Sequence, residues 1–292
     1  MTLAADRTLN ADVPQRYVSV QRTAAVAAGV AAVGVVVWLT LDWSVFGRAW
    51  RTLAGDPLPL AGALVLYTAG FVLRSAAWGP LLPVPVPLGR RLRGIFASLA
   101  VNHALPGPVG EVARARIVVT EGLTFRGALT SVAAARVADA ACLAALAIVA
   151  AVAVGSAPMW LRAVSFVALA LPVAAVVVAR RRGAELSVPQ LVRVGLLALP
   201  SWAVELAMLW AVASAAGVRL SWAAALLATC GGLLAQPFAV LPGGVGTYEA
   251  GVTSVLVALG VPAGEALAVA VTTHAVKFAY SFGVGVPALV VR

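Results

Sequence analysis

Charged side chains lie inside long apolar stretches of this 292-residue sequence, where an uncompensated charge is costly. Glu111 and Arg114 are three residues apart, and so are Arg136 and Asp139, so each couple can form an ion pair on one helix face. The guanidinium of Arg114 also has the planar fork that suits a phosphate. The spacing therefore predicts either structural ion pairs or part of a site for an anionic group.

A second set of ionisable groups lies towards the C-terminus. Glu205 has no basic residue within one helical turn, so it is either neutral or paired across helices, with His274 and Lys277 as its predicted partners. The same two residues form a cationic face that can instead meet a phosphate directly. Glu249 follows Tyr248, whose amphipathic ring suits the depth of lipid headgroups. Glu205, Glu249 and His274 are also the groups that we predict to carry protons.

Proline and glycine interrupt the apolar stretches at two matching places. Residues 105–110 and 241–246 share the pattern L-P-G-x-V-G, and a carboxylate follows each. Such breaks allow close backbone approach, and the half-helix after each one offers N–H donors to an anion. The alternative is that the breaks only let two hairpins pack together. The predicted helix-break residues are Pro106, Gly107, Gly110, Pro242, Gly243, Gly244 and Gly246.

Membrane-spanning helices are the elements that must position these residues. Hydrophobic residues make up 62% of the chain and charged residues 11%, against about 25% charged residues in soluble domains. The apolar runs have the length that crosses a bilayer, and between them lie only short loops and a polar tail over 1–23. We predict full crossings at 24–41, 58–79, 127–155, 163–179, 191–216 and 265–291.

Two segments between these crossings are interpreted as re-entrant, broken-helix hairpins. The first is 88–119, and the second runs through 222–241 and resumes over 251–259. The alternative is that each segment makes two complete crossings. With hairpins, each half of the chain has two spans, a hairpin and one span, so the two halves are inverted. The predicted fold is an all-α polytopic membrane protein of two inverted repeats, 24–155 and 156–292.

Basic clusters determine the predicted orientation. They precede the first span and follow the second and fourth, which places both termini in the cytoplasm of a cell with the chain in its inner or plasma membrane. The clusters are Arg7, Arg16 and Arg22, then Arg90, Arg91 and Arg93, then Arg180, Arg181 and Arg182. The net charge of +10 is thus scattered between apolar runs, which argues against a nucleic-acid-binding surface. Arg74 is predicted to snorkel to the cytoplasmic interface without further function.

Signals of an enzyme, a metal or a cofactor are weak. The sequence has no H-E-x-x-H motif, no G-x-S-x-G motif and no phosphate-binding glycine-rich loop. Its two histidines and its two cysteines, Cys142 and Cys230, lack the spacing of metal ligands or redox pairs. We therefore expect no metal, no cofactor, and transport that is passive or coupled to an ion gradient. Enzyme activity stays open but is not favoured.

Three ordered motifs make the sequence resemble the flippase-like family named for the transmembrane region of lysylphosphatidylglycerol synthases. They are N-x-x-x-P-G-x-x-G-E-x-x-R over 102–114, R-V-x-D over 136–139, and P-G-G-x-G-x-x-E-x-G over 242–251. The resemblance covers almost the whole chain. There are two departures from the family pattern. An arginine often occurs near the position of His274, and the soluble aminoacyl-transferring domain of the synthases does not fit in this length, so aminoacylation by this chain alone is not expected.

The resemblance implies binding of a lipid with a polar headgroup and movement of that lipid between leaflets. The resulting hypothesis is a lipid flippase or carrier for an anionic phospholipid or a polyprenyl-phosphate lipid. One alternative is a membrane-embedded glycosyl or phosphoryl transferase for lipid-linked substrates. Another is a non-catalytic partner of a separately encoded lipid-modifying synthase or glycosyl transferase. The predicted headgroup-binding residues are Asn102, Glu111, Arg114, Tyr248, Glu249 and Lys277, and the predicted buried charge network is Arg136, Asp139, Glu205 and His274.

Overall fold

The computed structural model describes residues 27–181 and 187–290, and these residues are almost entirely helical. They divide into a first unit that ends at Thr40 and a second that begins at Leu41. The first unit contributes helix α1, Ala27–Thr40. The helices of the second unit are α2 (Trp43–Gly55), α3 (Leu58–Trp78), α4 (Leu88–Ala104), α5 (Val109–Val118), α6 (Phe125–Val154), α7 (Met159–Arg181), α8 (Val188–Ala203), α9 (Leu206–Ala216), α10 (Trp222–Ala235), α11 (Thr247–Ala258) and α12 (Ala263–Val290).

Five helical stretches of the described residues are long and apolar enough to cross a membrane. They coincide, within a few residues, with the second to sixth predicted crossings, and the predicted all-α membrane fold is confirmed at this level. They are Leu58–Leu81, Phe125–Val154, Met159–Val178, Val188–Ala216 and Ala263–Val290. A sixth span arises if α1 and α2 count together. The predicted tail 1–23 lies outside the described residues, and the inverted repeats with their boundaries stay predictions.

Helix α2 was not predicted from the sequence. The Asp42 carboxylate accepts hydrogen bonds from the backbone N–H groups of Ser44 and Val45 and so caps its first turn. Its buried face is formed by Val45, Ala49 and Leu53, which lie at helical spacing. The helix has 13 residues and a polar opposite face, so it lacks the roughly 20 apolar residues by which a membrane crossing is recognised in a sequence.

The predicted crossing 191–216 is divided into α8 and α9 by a tighter turn. The amides of Glu205, Ala207 and Met208 bond to carbonyl groups three residues back, as in a 3₁₀-helix, instead of four. Pro200 lies one turn earlier and donates no backbone hydrogen bond. The two helices therefore form one continuous stretch with a 3₁₀ turn at Glu205, and the Glu205 side chain is buried there.

Each predicted hairpin is a pair of helices joined at the Pro-Gly break, α4 with α5 and α10 with α11. Small residues bring the paired helices close together. A side chain at Gly110 would collide with the Ser98 carbonyl oxygen and the Asn102 side chain, and a Cβ at Gly251 would lie 2.5 Å from the Gly231 carbonyl oxygen. α5, α10 and α11 have 10, 14 and 12 residues, fewer than the about 20 of a crossing. α4 has 17 residues, the lower end of the roughly 17–25 of a crossing, so the re-entrant hairpins stay a prediction.

The two breaks share one backbone feature. Gly107 has a φ of 77° and Gly243 a φ of 67°, left-handed values that cost a residue with a side chain roughly 1–2 kcal/mol. The next position differs, because Pro108 has a φ of −84° and Gly244 a φ of 81°. The repeated L-P-G-x-V-G pattern therefore makes the same first turn in both hairpins and then follows two different paths into α5 and α11.

Candidate functional site

Glu111, in the first turn of α5, is the centre of a charged cluster. Its Oε1 lies 2.7 Å from Arg136 Nη2 and accepts a hydrogen bond of 3.5 Å from Asn102 Nδ2. Its Oε2 lies 3.8 Å from Arg114 Nη1, and Arg136 Nη1 lies 3.3 Å from Asp139 Oδ2. Both couples predicted from i,i+3 spacing are thus ion-paired. We call Asn102, Glu111, Arg114, Arg136 and Asp139 the first cluster.

Arg114 rests on the aromatic face of Trp78. Its guanidinium carbon is 3.8 Å from the ring centroid, and its side chain is 4% exposed. The Trp78 indole N–H donates to Ser131 Oγ at 3.1 Å, which holds the ring in place. A desolvated contact of this kind contributes about 2 kcal/mol. Arg114 Nε has no hydrogen-bond partner among the described residues. This cation therefore has one unused donor, and its ion pair with Glu111 is long at 3.8 Å.

Trp202 connects the first cluster to a second group of charges. Its indole N–H donates to Asp139 Oδ1 at 3.0 Å. On its face lies the guanidinium of Arg74, with Cζ 3.8 Å from the ring centroid. Two contacts were not predicted from the sequence, that of Arg74 with the Trp202 ring and that of Arg114 with the Trp78 ring. The signal available for Trp202 is its position one helical turn before Glu205 in a stretch with few other polar groups.

Glu205 binds two cations at the turn between α8 and α9. Its Oε2 is 2.7 Å from Arg74 Nη2, and its Oε1 is 2.8 Å from Lys277 Nζ. The side chains of Glu205 and Lys277 are buried, and that of Arg74 is 11% exposed. Lys277 is therefore a partner of Glu205 as predicted, and Arg74, which the sequence predicts to snorkel, also pairs with this carboxylate and lies over the rings of Phe71 and Trp202. We call Arg74, Glu205 and Lys277 the second cluster; Lys277 Nζ also lies 4.9 Å from the ring centroid of Tyr248.

His274 is paired with Glu249 rather than with Glu205. Its Nδ1 is 2.6 Å from Glu249 Oε1, and its Nε2 is 3.1 Å from the Gly243 carbonyl oxygen. Because a carbonyl oxygen only accepts, the contact of Nε2 with the Gly243 carbonyl oxygen is a hydrogen bond only if Nε2 is protonated. Glu249 Oε2 also accepts from the Gly246 N–H at 2.8 Å and so caps α11.

One N–H donor at the start of each half-helix already has a protein acceptor. The Gly110 N–H donates to Asn102 Oδ1 at 2.7 Å, and the Gly246 N–H donates to Glu249. These two amides are therefore satisfied within the protein.

The charges of this connected network do not balance. In the two clusters, four cations (Arg74, Arg114, Arg136 and Lys277) face three carboxylates (Glu111, Asp139 and Glu205). With every group of both clusters ionised, the network carries one excess positive charge. An excess charge at membrane depth is unfavourable unless an anion compensates it.

The described residues contain no group of three or more His, Cys, Asp or Glu side chains that could hold a metal ion. Cys142 and Cys230 are buried free thiols, and Cys142 donates to the Gly195 carbonyl oxygen at 3.1 Å.

A comparison with protein-family models agrees with the motifs. The model of the lysylphosphatidylglycerol synthase TM region matches residues 26–285. The chain belongs to this family. The matched range contains every residue of both clusters and the pair of Glu249 and His274, and the resemblance seen in the three motifs is confirmed. Membership in the lysylphosphatidylglycerol synthase TM-region family identifies a multi-pass membrane protein related to lipid metabolism. No curated protein and no solved structure is significantly similar to the chain.

Proposed function

We propose that the chain is an integral membrane lipid flippase or carrier that binds an anionic or polyprenyl-phosphate headgroup between its two hairpins. The observation that supports this most is the excess positive charge of the connected network. An anion that binds there removes an electrostatic cost that the protein alone does not compensate. A lipid phosphate is the anion that a membrane supplies to such a site.

The headgroup enters at the first cluster. Arg136 has a 41% exposed side chain, and the backbone of the neighbouring break, residues 104–109, is exposed as well. Behind Arg136 lies Arg114, whose ion pair with Glu111 is long at 3.8 Å and whose Nε is unused. A phosphate held by the guanidinium groups of Arg136 and Arg114 replaces the long contact between Arg114 and Glu111 with charge-assisted hydrogen bonds. Asn102, which contacts Glu111, is a further donor to this phosphate.

The predicted headgroup residues on α11 and α12 have a different part in this proposal. Lys277 is occupied by Glu205, and Glu249 is occupied by His274. Tyr248 is buried, and its hydroxyl has no hydrogen-bond partner among the described residues. These three residues receive the headgroup in a second conformation, after Lys277 has exchanged Glu205 for the phosphate. The proton shared by Glu249 and His274 is the element that couples this exchange to a proton gradient if transport is not passive.

Transbilayer exchange in liposomes tests the proposal. The purified chain is reconstituted with a fluorescent phosphatidylglycerol, a fluorescent phosphatidylcholine or a fluorescent polyprenyl phosphate, and a membrane-impermeant quencher reports the fraction that changes leaflet. We expect faster exchange of an anionic lipid than in protein-free liposomes, and little effect on phosphatidylcholine. No acceleration for any of the three lipids, with and without a proton gradient, would contradict the proposal.

Orientation is the second part of the proposal, with both termini cytoplasmic in the cell inner or plasma membrane. Arg90 and Arg219 are both exposed and lie on opposite predicted sides. In whole cells, an impermeant maleimide should label the Arg219→Cys variant and should label the Arg90→Cys variant only after permeabilisation. Cys142 and Cys230 are buried, so the unsubstituted chain is the background control. Labelling in the reverse order would invert the proposed topology.

A non-catalytic partner of a separate lipid-modifying synthase or glycosyl transferase is the second candidate. The observation that favours it is the matched family model itself, which is a membrane region of synthases. It predicts stable co-purification with a transferase encoded nearby and lipid modification that requires both proteins. Exchange activity of the chain alone in liposomes would favour the carrier instead.

A further inference from the structure

A cleft lies between α7 and α8, and α6 forms its floor. Both helices pack on α6, but they make almost no contact with each other. The cleft encloses about 470 Å³. Its floor consists of Val137 and the smaller side chains of Ala138, Ala141, Cys142 and Ala145, and Gly195 of α8 adds no side chain. The three helices therefore leave a groove where larger side chains would interlock.

The groove has apolar walls and the length of one leaflet. Leu169, Pro172 and Val173 line it from α7, and Val192 and Leu196 line it from α8. On α8 the lining extends from residue 188 to residue 199, about 16 Å at a rise of about 1.5 Å per residue. This is about half of the roughly 30 Å thickness of the hydrocarbon core. A single acyl chain of one leaflet fits this length and polarity.

A polar cavity continues the groove at one end. It encloses about 440 Å³, and Leu191 lines both spaces. On α6 it covers residues 124–134, directly before the residues that form the floor of the groove. Its lining includes Arg126, Thr130 and Gln190, and Arg126 is exposed and makes no ion pair with a described residue. The two spaces together have the polarity of a phospholipid, with a cation at the headgroup end.

We infer that this cleft binds one phospholipid with an anionic headgroup, the phosphate at Arg126 and an acyl chain in the groove between α7 and α8. The site is separate from the headgroup site of the proposed function, because no residue of the first or second cluster lines either space. Each space is within the range of about 300–1,000 Å³ that small-molecule sites occupy. The bound lipid fills the gap that the small residues of α6 leave between the two outer helices.

Native mass spectrometry in detergent, with added 1-palmitoyl-2-oleoyl-phosphatidylglycerol, tests the acyl-chain part. Ala141→Phe fills the floor of the groove, and Ala133→Phe adds the same side chain at an exposed position of the same helix. We expect Ala141→Phe to lose one bound lipid that the unsubstituted chain and Ala133→Phe retain. Gly195→Leu fills the groove from α8 and serves as the second variant if Ala141→Phe is not monodisperse. Equal retention by the groove variants and the control would overturn the inference.

Headgroup recognition is tested with Arg126→Gln and its control Arg90→Gln, another exposed arginine that lines neither cavity. Arg126→Gln should weaken retention of phosphatidylglycerol about tenfold and leave phosphatidylcholine unchanged, since only the charge-assisted contact is removed. Arg114→Gln should leave this lipid in place, which separates the cleft from the proposed transport site. If Arg126→Gln binds phosphatidylglycerol as tightly as Arg90→Gln does, Arg126 is not the headgroup ligand and the inference fails.

Discussion

Replacing Glu205 by glutamine removes the carboxylate that binds both Arg74 and Lys277 and nearly preserves the shape of the side chain. Lys277, which is buried, and Arg74, which is 11% exposed, then lose the carboxylate that each contacted at 2.7 to 2.8 Å. Removing one partner of a buried ion pair costs about 3–5 kcal/mol, and here one substitution leaves two charges uncompensated. At about 2–4 °C per kcal/mol, the unfolding temperature should fall by at least about 6 °C.

Lys277→Met in the same cluster should be much milder. It leaves Arg74 and Glu205 as a one-to-one ion pair and removes the excess positive charge of the network. Replacing a buried charge by an apolar side chain of similar volume is often close to neutral, so we expect a loss below about 2 kcal/mol. Which of the two variants is more stable therefore depends on the number of uncompensated charges and not only on the number of contacts removed.

Thermal unfolding in detergent, followed by fluorescence-detected gel filtration, measures this order. Glu121→Gln, at an exposed carboxylate, is the control and should unfold at the temperature of the unsubstituted chain. A Lys277→Met variant that is as unstable as Glu205→Gln, or less stable, would refute the reasoning. It would mean that Lys277 is not an excess cation and that the network is balanced by a group outside both clusters.

Three further predictions concern single contacts. Gly243→Ala should destabilise the protein by more than about 1 kcal/mol, because the position has positive φ and its new methyl group meets a neighbouring ring, whereas Gly89→Ala should be neutral in the same unfolding assay. Trp202→Phe should cost about 1–3 kcal/mol, because the partly buried Asp139 carboxylate loses its indole donor. A change below about 0.5 kcal/mol in chemical unfolding, roughly the limit for a neutral site, would contradict the contact. In nitrogen NMR, the His274 tautomer should have a protonated Nε2; a tautomer with a bare Nε2 would exclude the bond to the Gly243 carbonyl oxygen.

Helix positions and local ion pairs could be predicted from the sequence because they depend on neighbouring residues. Apolar runs of crossing length located five helical stretches, and the i,i+3 spacing of Arg136 and Asp139 was sufficient to predict their contact. Helix α2 was missed because its stability comes from a cap at Asp42 and one buried face, not from crossing length. The 3₁₀ turn at Glu205 was missed because hydropathy is continuous across it.

Partners that lie on different helices could not be assigned reliably. His274 and Lys277 are three residues apart and were both suitable for Glu205, but their side chains bind different carboxylates. Which of them meets Glu205 depends on how α12 packs against α11 and α9, and sequence spacing contains no information on that packing. Arg74 is a further example, since its pairing with Glu205 joins residues that are 131 positions apart in the sequence.

The most direct test of the central claim is the exchange rate of phosphatidylglycerol in liposomes that contain the Arg114→Gln variant. Arg114 is the buried cation with an unused donor at the proposed entry site, and Arg90→Gln is the matched control on an exposed arginine. We predict that Arg114→Gln slows exchange at least about tenfold, the effect of losing one charge-assisted phosphate contact, while the protein stays monodisperse. Unchanged exchange in Arg114→Gln, at the rate of Arg90→Gln, would contradict a headgroup site at the first cluster.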